Sequence, residues 1–312
     1  MTALTRREAL TWALLAGSTA VLSGCVPAAA PPLVLGCGEA GGSYLQFGEL
    51  LADATSSSTR LRISPLPTEG SVDNLALLAA RRVDLALSLV DSAVAADSAA
   101  DVVAIGRVYQ NYLQCVVRAD GGIRSLDDLA GRTVSLGAPG SGAAATARRV
   151  LEVSGLAGSA TSPRVVERTF REAVDDLEAG SIDALFWSGG VPTPQIADLA
   201  TRVPIAVIDT TPALDGLARA YPEVYAATTI PAGVYDAPRA VPTIGVANLL
   251  LARSDLADDL VRALVDALID DAPALVPADA LGIQYLTPAS LIDTAPLALH
   301  PSAERRYRER YG

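Results

Sequence analysis

The stretch LRISPLPTEGSVDNLALLAARRVDLALSLVD, residues 61–91, decides the fold. Residues 61–66 read as a short apolar strand. Residues 68–71 form a turn rich in capping side chains, and residues 72–80 carry leucine and alanine at helical spacing. The run at residues 83–89 reads as a second, buried strand, ending at Asp91. Strand, capped turn, helix and strand make a βαβ unit, and repeated units imply a parallel sheet. In such sheets ligands collect at the carboxyl ends of the strands, where helix N-termini point.

The same grammar extends in both directions. Upstream, residues 33–37 form a strand and residues 38–42 a glycine turn. Ser43 caps a helix to about residue 53, with Leu45, Gly48, Leu51 and Ala52 on one face. Downstream, residues 112–118 form a strand and residues 124–131 a short helix. Residues 133–136 form a strand that feeds GAPGSGAAATARRV, residues 137–150. The segment AVDDLEAGSIDALFWSGG (173–190) echoes NLALLAARRVDLALSLVD (74–91), which suggests two similar α/β lobes. Residues 204–208 add a strand. Residues 221–242 are rich in proline and tyrosine without a period and read as a long ordered loop or short pieces. Residues 243–271 form a strand and an amphipathic helix with Leu256, Leu260, Leu264 and Leu268 on one face, and the chain ends in a polar helix.

Residues 137–150 resemble a phosphate loop, with glycines between a strand and a helix N-terminus. A nucleotide loop needs a lysine directly after its last glycine. Ala143 stands there, and the chain has no lysine at all. An anion loop remains as the reading.

Composition narrows the classes. The 312 residues are 50% hydrophobic with a net charge of −11, so the chain is globular and lacks the clustered cations that nucleic acid requires. The N-terminus has Arg6 and Arg7, an apolar stretch over residues 9–22, and small residues up to Cys25. This is a signal-peptide layout over residues 1–24. LSGC, residues 22–25, resembles a bacterial lipobox, which makes Cys25 the lipid-modified residue. Residues 25–32 then form an extended tether, and the protein is expected outside the cytoplasmic membrane, anchored to its outer face. The paired arginines match a twin-arginine export signal in part. Cys37 and Cys115 lie in apolar runs and read as a disulfide or as two buried thiols.

Catalytic readings find little support. His300 is the single histidine, so a zinc site of the His-Glu-x-x-His type is excluded. A serine hydrolase would need Ser141 with His300, but Ser141 is not in a G-x-S-x-G elbow. GCGEAGG, residues 36–42, is a weak dinucleotide fingerprint. No metal and no cofactor is expected. Binding survives: three capped turns, at Ser43, at Ser71 with Asn74, and at Ser141, offer hydroxyls and backbone N–H groups suited to a small carboxylate.

Five segments occur in order: GGSYLQFG (41–48), TEGSVDNLALLAARRVDLALSLVD (68–91), VYQNYLQCVVRADGGIRSLDDLAGRTVSLGAPGSG (108–142), AGSIDALFWSGGVPTPQIADLA (179–200) and LHPSAERRYRE (299–309). Together they resemble the TAXI family, the solute-receptor subunits of TRAP transporters. The resemblance implies a type II periplasmic-binding-protein fold, with two α/β lobes joined by hinge strands and a ligand cleft between them. It implies a monomeric receptor for small organic acids, glutamate, glutamine and 2-oxoglutarate among them, with a membrane permease as partner. Lobe 1 is expected at residues 33–112 and 245–312, and lobe 2 at residues 113–244. A signalling receptor docking to a sensor is the alternative.

Carried over by position, the resemblance assigns ligand contacts to Gly42, Ser43, Tyr44, Ser71, Asn74, Asp91, Tyr109, Ser141, Gly190 and Pro192. Asp91 is expected to accept an ammonium or hydroxyl, and Tyr44, Tyr109 and Trp187 to wall the ligand. Departures from the family pattern are Leu89-Val90 in place of Gln-Ser, Ala143 in place of Thr, and Trp187-Ser188 in place of small aliphatic residues. They point to a larger or less polar acid.

Overall fold

A computed structural model describes residues 31–58, 61–96 and 101–312. The expected signal peptide, Cys25 and most of the tether lie outside the described residues. In chain order the elements are β1 (Leu33–Gly36), α1 (Ser43–Thr55), β2 (Ile63–Leu66), α2 (Ser71–Ala79), β3 (Leu85–Leu89) and α3 (Val90–Ala95). There follow β4 (Val102–Arg118), β5 (Thr133–Ser135), α4 (Gly142–Val153), β6 (Arg164–Val166), α5 (Phe170–Ala179), β7 (Ala184–Gly189) and α6 (Pro194–Arg202). The chain closes with β8 (Ile205–Ile208), α7 (Leu214–Ala220), β9 (Tyr225–Ile230), β10 (Val241–Arg253), α8 (Asp258–Asp270), α9 (Pro288–Leu291) and α10 (Pro301–Tyr311).

The strands form one mixed sheet in the order β2-β1-β3-β10-β4-β7-β5-β6, with β8 on β4 and β9 on β10. The βαβ units give the parallel pairs: β1 with β2 and β3, and β5 with β6 and β7. Two long antiparallel strands, β4 and β10, join the halves. The first part of β4 and the last part of β10 pair with each other beside β3, whereas the far part of β4 carries β7 and β8 and the start of β10 carries β9. The β4–β10 register slips between Asn248 and Leu249 and again between Leu250 and Leu251. The lobe boundaries expected at residues 112 and 245 fall where Tyr112 faces Gly245.

Local chemistry explains the differences from expectation. The strand expected at residues 112–118 begins at Val102, because residues 102–109 hold a second set of partners on β10. Residues 221–242 contain β9, in which only Ile230 is buried and exposure follows no alternation, so no apolar period marks it. Residues 124–131 form only one tight turn, Asp127–Leu129, in which the Asp128 carboxylate accepts from the N–H groups of Arg124 and Ser125. Leu256 precedes α8, whose buried stripe is Val261, Leu264, Val265 and Leu268. Cys37 and Cys115 are buried free thiols. Among the described residues no helix is long and apolar enough to cross a membrane.

Candidate functional site

Three helices start at the carboxyl ends of parallel strands: α1 after β1, α2 after β2 and α4 after β5. Their N-termini meet. Gly70, in front of α2, has φ 120, a conformation open to glycine and strained for other residues. A side chain there would make ordinary contact with Ser141, 3.4 Å from its Cα, so the backbone conformation and not lack of space calls for glycine. Gly140 completes the junction, its carbonyl accepting from Val72 and Asp73 N–H, both at 3.1 Å.

Between these helix starts lies a cavity with about 30 Å³ open to the centres of water-sized groups. Its wall includes Gly42, Ser43, Tyr44, Ser71, Ser141, Ala143 and Trp187, so seven of the residues named from sequence come together here. The first N–H groups of a helix have no intrahelical acceptor. Ala144 N–H donates to Ser141 Oγ at 3.1 Å, and α2 spends two N–H groups on Gly140. The N–H groups of Ser43, Tyr44, Ser71, Gly142 and Ala143 belong to the first turns of these helices, on residues that line this one cavity. The indole Nε1 of Trp187 is buried and unpaired, while its ring stacks on Phe170 at 3.8 Å. Three helix N-termini thus meet around one space that the Trp187 side chain also lines.

Gly190 and Pro192 line a neighbouring cavity with Tyr109, and Ser43 belongs to both. Ser43 Oγ accepts from Gly190 N–H at 3.3 Å, which ties α1 to the turn after β7. That turn is held from behind. Gln114 donates to Thr193 Oγ1, and the Tyr235 hydroxyl accepts from Thr193 N–H and donates to Gln114 Oε1.

Two expected contacts lie elsewhere. Asn74 is fully buried, and its amide ties three turns by donating to Cys37 O and Leu87 O and accepting from Thr68. Asp91 does not face the cavity. Its Oδ2 accepts from Thr146, Arg149 and Tyr225 and its Oδ1 from Ser92, and the residue is only 1% exposed, so it serves an internal network away from the cavity. The Ser141–His300 pair of a hydrolase is not formed: Ser141 caps α4, and His300 Nδ1 caps α10 by accepting from Ser302 N–H.

A family model described as the NMT1-like family matches residues 35–310, nearly the whole described chain. The chain belongs to the NMT1-like family. Its fold is the α/β periplasmic-binding-protein fold, as three solved structures illustrate. XAC2383 from Xanthomonas citri bound to ATP matches with a TM-score of 0.53 at 15% identity, over 89% of this chain and 94% of that one. A putative L-cystine ABC transporter protein from Listeria monocytogenes matches at 0.50 and 14%, over 86% and 98%. A protein of glutathione import via GshT and the cystine ABC importer TcyBC in Streptococcus mutans matches at 0.50 and 10%, over 78% and 92%.

In this NMT1-like protein the cavity also holds residues that sequence reasoning missed: Glu39, Glu69, Asn111 and Ser188. Glu39 stands in the same glycine-rich turn as Gly42, which was a readable signal. Its carboxylate accepts from Phe170 N–H at 2.7 Å, at the start of α5. Burial lifts its pKa above the ordinary range, and the nearby Glu69 and Glu172 add to that, against the lowering by Phe170 N–H. Glu69 accepts from Gly140 N–H at 3.1 Å. Burial also holds the Tyr44 and Tyr109 hydroxyls neutral by raising their pKa. Among the described residues no arginine or histidine lines either cavity.

Proposed function

We propose that this protein is an extracytoplasmic solute receptor, lipid-anchored through Cys25, that clamps a small organic acid between two lobes and delivers it to a membrane permease. The observation that carries the reading is the convergence of three helix N-termini and the Trp187 indole on one cavity. Neutral, preoriented donors of this kind suit a carboxylate, whose two oxygens accept several N–H groups. Glu39 and Glu69 take the part first given to Asp91: a zwitterionic ligand would place its ammonium toward them. The mechanism is hinge closure about β4 and β10, with ligand contacts to both lobes complete only in the closed form.

The TAXI resemblance supports a TRAP-type permease as partner. The Listeria and Streptococcus likenesses are to ABC systems, but at 14% and 10% identity they speak to fold alone. Co-purification from membranes separates the two: a TRAP permease carries no ATPase subunit.

Thermal unfolding with a panel of organic acids and amino acids tests the ligand class. A ligand at a hundredfold excess over its Kd stabilises by about 2.7 kcal/mol. Stabilisation by a carboxylic acid but not by its methyl ester is expected. Failure of every acid in a broad panel would sink the reading.

A further inference from the structure

The second cavity, beside Tyr109 and Gln110, has about 40 Å³ open to the centres of water-sized groups. Its floor is Phe47, Tyr109 and Gln110, one wall is the turn at residues 190–194, and its roof is the irregular segment 275–284. That segment is fastened on both sides. Leu281 N–H donates to Val191 O at 2.9 Å, Ile283 N–H to the Tyr112 hydroxyl at 3.1 Å, and Gln110 N–H to Ile283 O at 3.0 Å.

Two polar atoms of this floor are buried without a hydrogen bond of normal geometry: Gln110 Nε2 and the Tyr109 hydroxyl, which has Ser43 beside it, on residues 4% and 5% exposed. Buried polar groups are nearly always paired, so two such atoms lining one cavity mark a place built for something that accepts hydrogen bonds. Both groups can donate to an acceptor placed between them. Gln110 Oε1 already accepts from the Tyr285 hydroxyl, so its amide offers only N–H. Ser43 Oγ accepts from Gly190 N–H, and its hydroxyl stands beside that of Tyr109. The cavity's unpartnered polar groups are a neutral amide and a neutral hydroxyl, and Asp279 stands in its wall, so a neutral acceptor suits it better than a second carboxylate. The volume suits a group of about three or four non-hydrogen atoms, given roughly 10–15 Å³ of such space per water.

We propose that this cavity is a second ligand compartment, taking a neutral carbonyl-bearing group, such as a carboxamide or ketone, of the same solute. The inference rests on the reading above, in which the carboxylate sits at the three helix N-termini. Ser43, common to both cavities, is the partition between them. The solute is then a carboxylic acid with a neutral carbonyl a few bonds away, not a dicarboxylate and not an aliphatic acid.

Fragment binding to the ¹⁵N-labelled protein tests this without knowledge of the solute. Sodium acetate and acetamide are titrated separately and together, and the Trp187 indole N–H and Gln110 side-chain amide signals are followed. Acetamide is expected to shift Gln110 saturably and acetate to shift Trp187, with no competition between them. Tyr109→Phe is expected to weaken acetamide at least fivefold. Mutual competition, or acetamide leaving Gln110 unmoved while acetate shifts Trp187, overturns the second compartment and leaves the carboxylate reading standing. Acetate leaving Trp187 unmoved overturns that reading and this inference with it.

Discussion

Asp91 and Arg149 form a salt bridge of 2.7 Å that joins α3, on the first half of the sheet, to α4, on the second. The Asp91 side chain is fully buried and that of Arg149 only 12% exposed. Thr146 and Tyr225 donate to the same carboxylate oxygen, at 2.7 and 2.9 Å, and the Arg149 guanidinium lies 5.0 Å from the Tyr221 ring. Removing one partner of such a pair leaves the other charge buried and uncompensated. Asp91→Ala is therefore expected to cost about 3–5 kcal/mol of unfolding free energy. Urea denaturation checks it. A loss below about 1 kcal/mol, the size of an exposed pair, would show that the bridge is not closed in solution.

Much of this was legible and some of it was not, for physical reasons. Helix starts announce themselves locally, through glycine turns and hydroxyl side chains, and the βαβ rule sends them to one edge of the sheet. Ser43, Ser71 and Ser141 could thus be named from sequence and are found around one cavity. Asp91 carried the same kind of signal, yet its partners lie 55 to 134 residues away, and no local pattern tells a ligand contact from an internal salt bridge. Gln110 sits in a strand with an ordinary polar side chain. Residues 275–284 have no period at all, so their place over the second cavity follows only from tertiary packing.

The two buried thiols should be chemically silent. Burial pushes both Cys37 and Cys115 up to about 12, and no disulfide joins them. The thiolate is the reactive form, so an aromatic disulfide reagent at pH 8 is expected to leave both unmodified in the native state and to modify both in urea. Peptide mapping by mass spectrometry reads each site separately. The linked effect on stability has a definite sign. A thiol that binds its proton more tightly when folded stabilises the fold below the unfolded value of about 8.5, and that contribution is lost as pH rises toward 12.

Glu39 should give an acid-side signature opposite to that of an ordinary paired carboxylate. Burial raises its folded pKa, so the folded protein holds this proton more tightly than the unfolded chain does. The penalty for its charge is absent below the unfolded pKa of about 4.3 and is fully expressed above the raised folded value. Glu39→Gln keeps an oxygen for Phe170 N–H and removes the charge. The variant is expected to melt higher than the native protein at pH 7, and the difference to vanish near pH 4. A difference in Tm that stays constant, or grows toward acid, contradicts the assignment.

Gly142 offers a direct handle on closure. It opens α4 on the second half of the sheet, and a Cβ at this position would lie 2.6 Å from Ser71 Oγ and 2.7 Å from Leu89 Cδ1, both on the first half. Its φ does not require glycine; the neighbours do. Ser71 cannot yield easily, because its hydroxyl accepts from Leu89 N–H at 3.0 Å and bonds Tyr44 at 2.9 Å. Gly142→Ala should therefore wedge the two halves apart while leaving each half folded, since alanine favours the helix more than glycine does. Three readouts follow together: a larger radius of gyration by small-angle X-ray scattering, unchanged helix content by circular dichroism, and at least tenfold weaker binding of whichever acid stabilises the native protein. Unchanged affinity with an unchanged radius would mean that α4 rides over Ser71 without separating the halves, and that the close approach of these helix starts is not what sets the clamp.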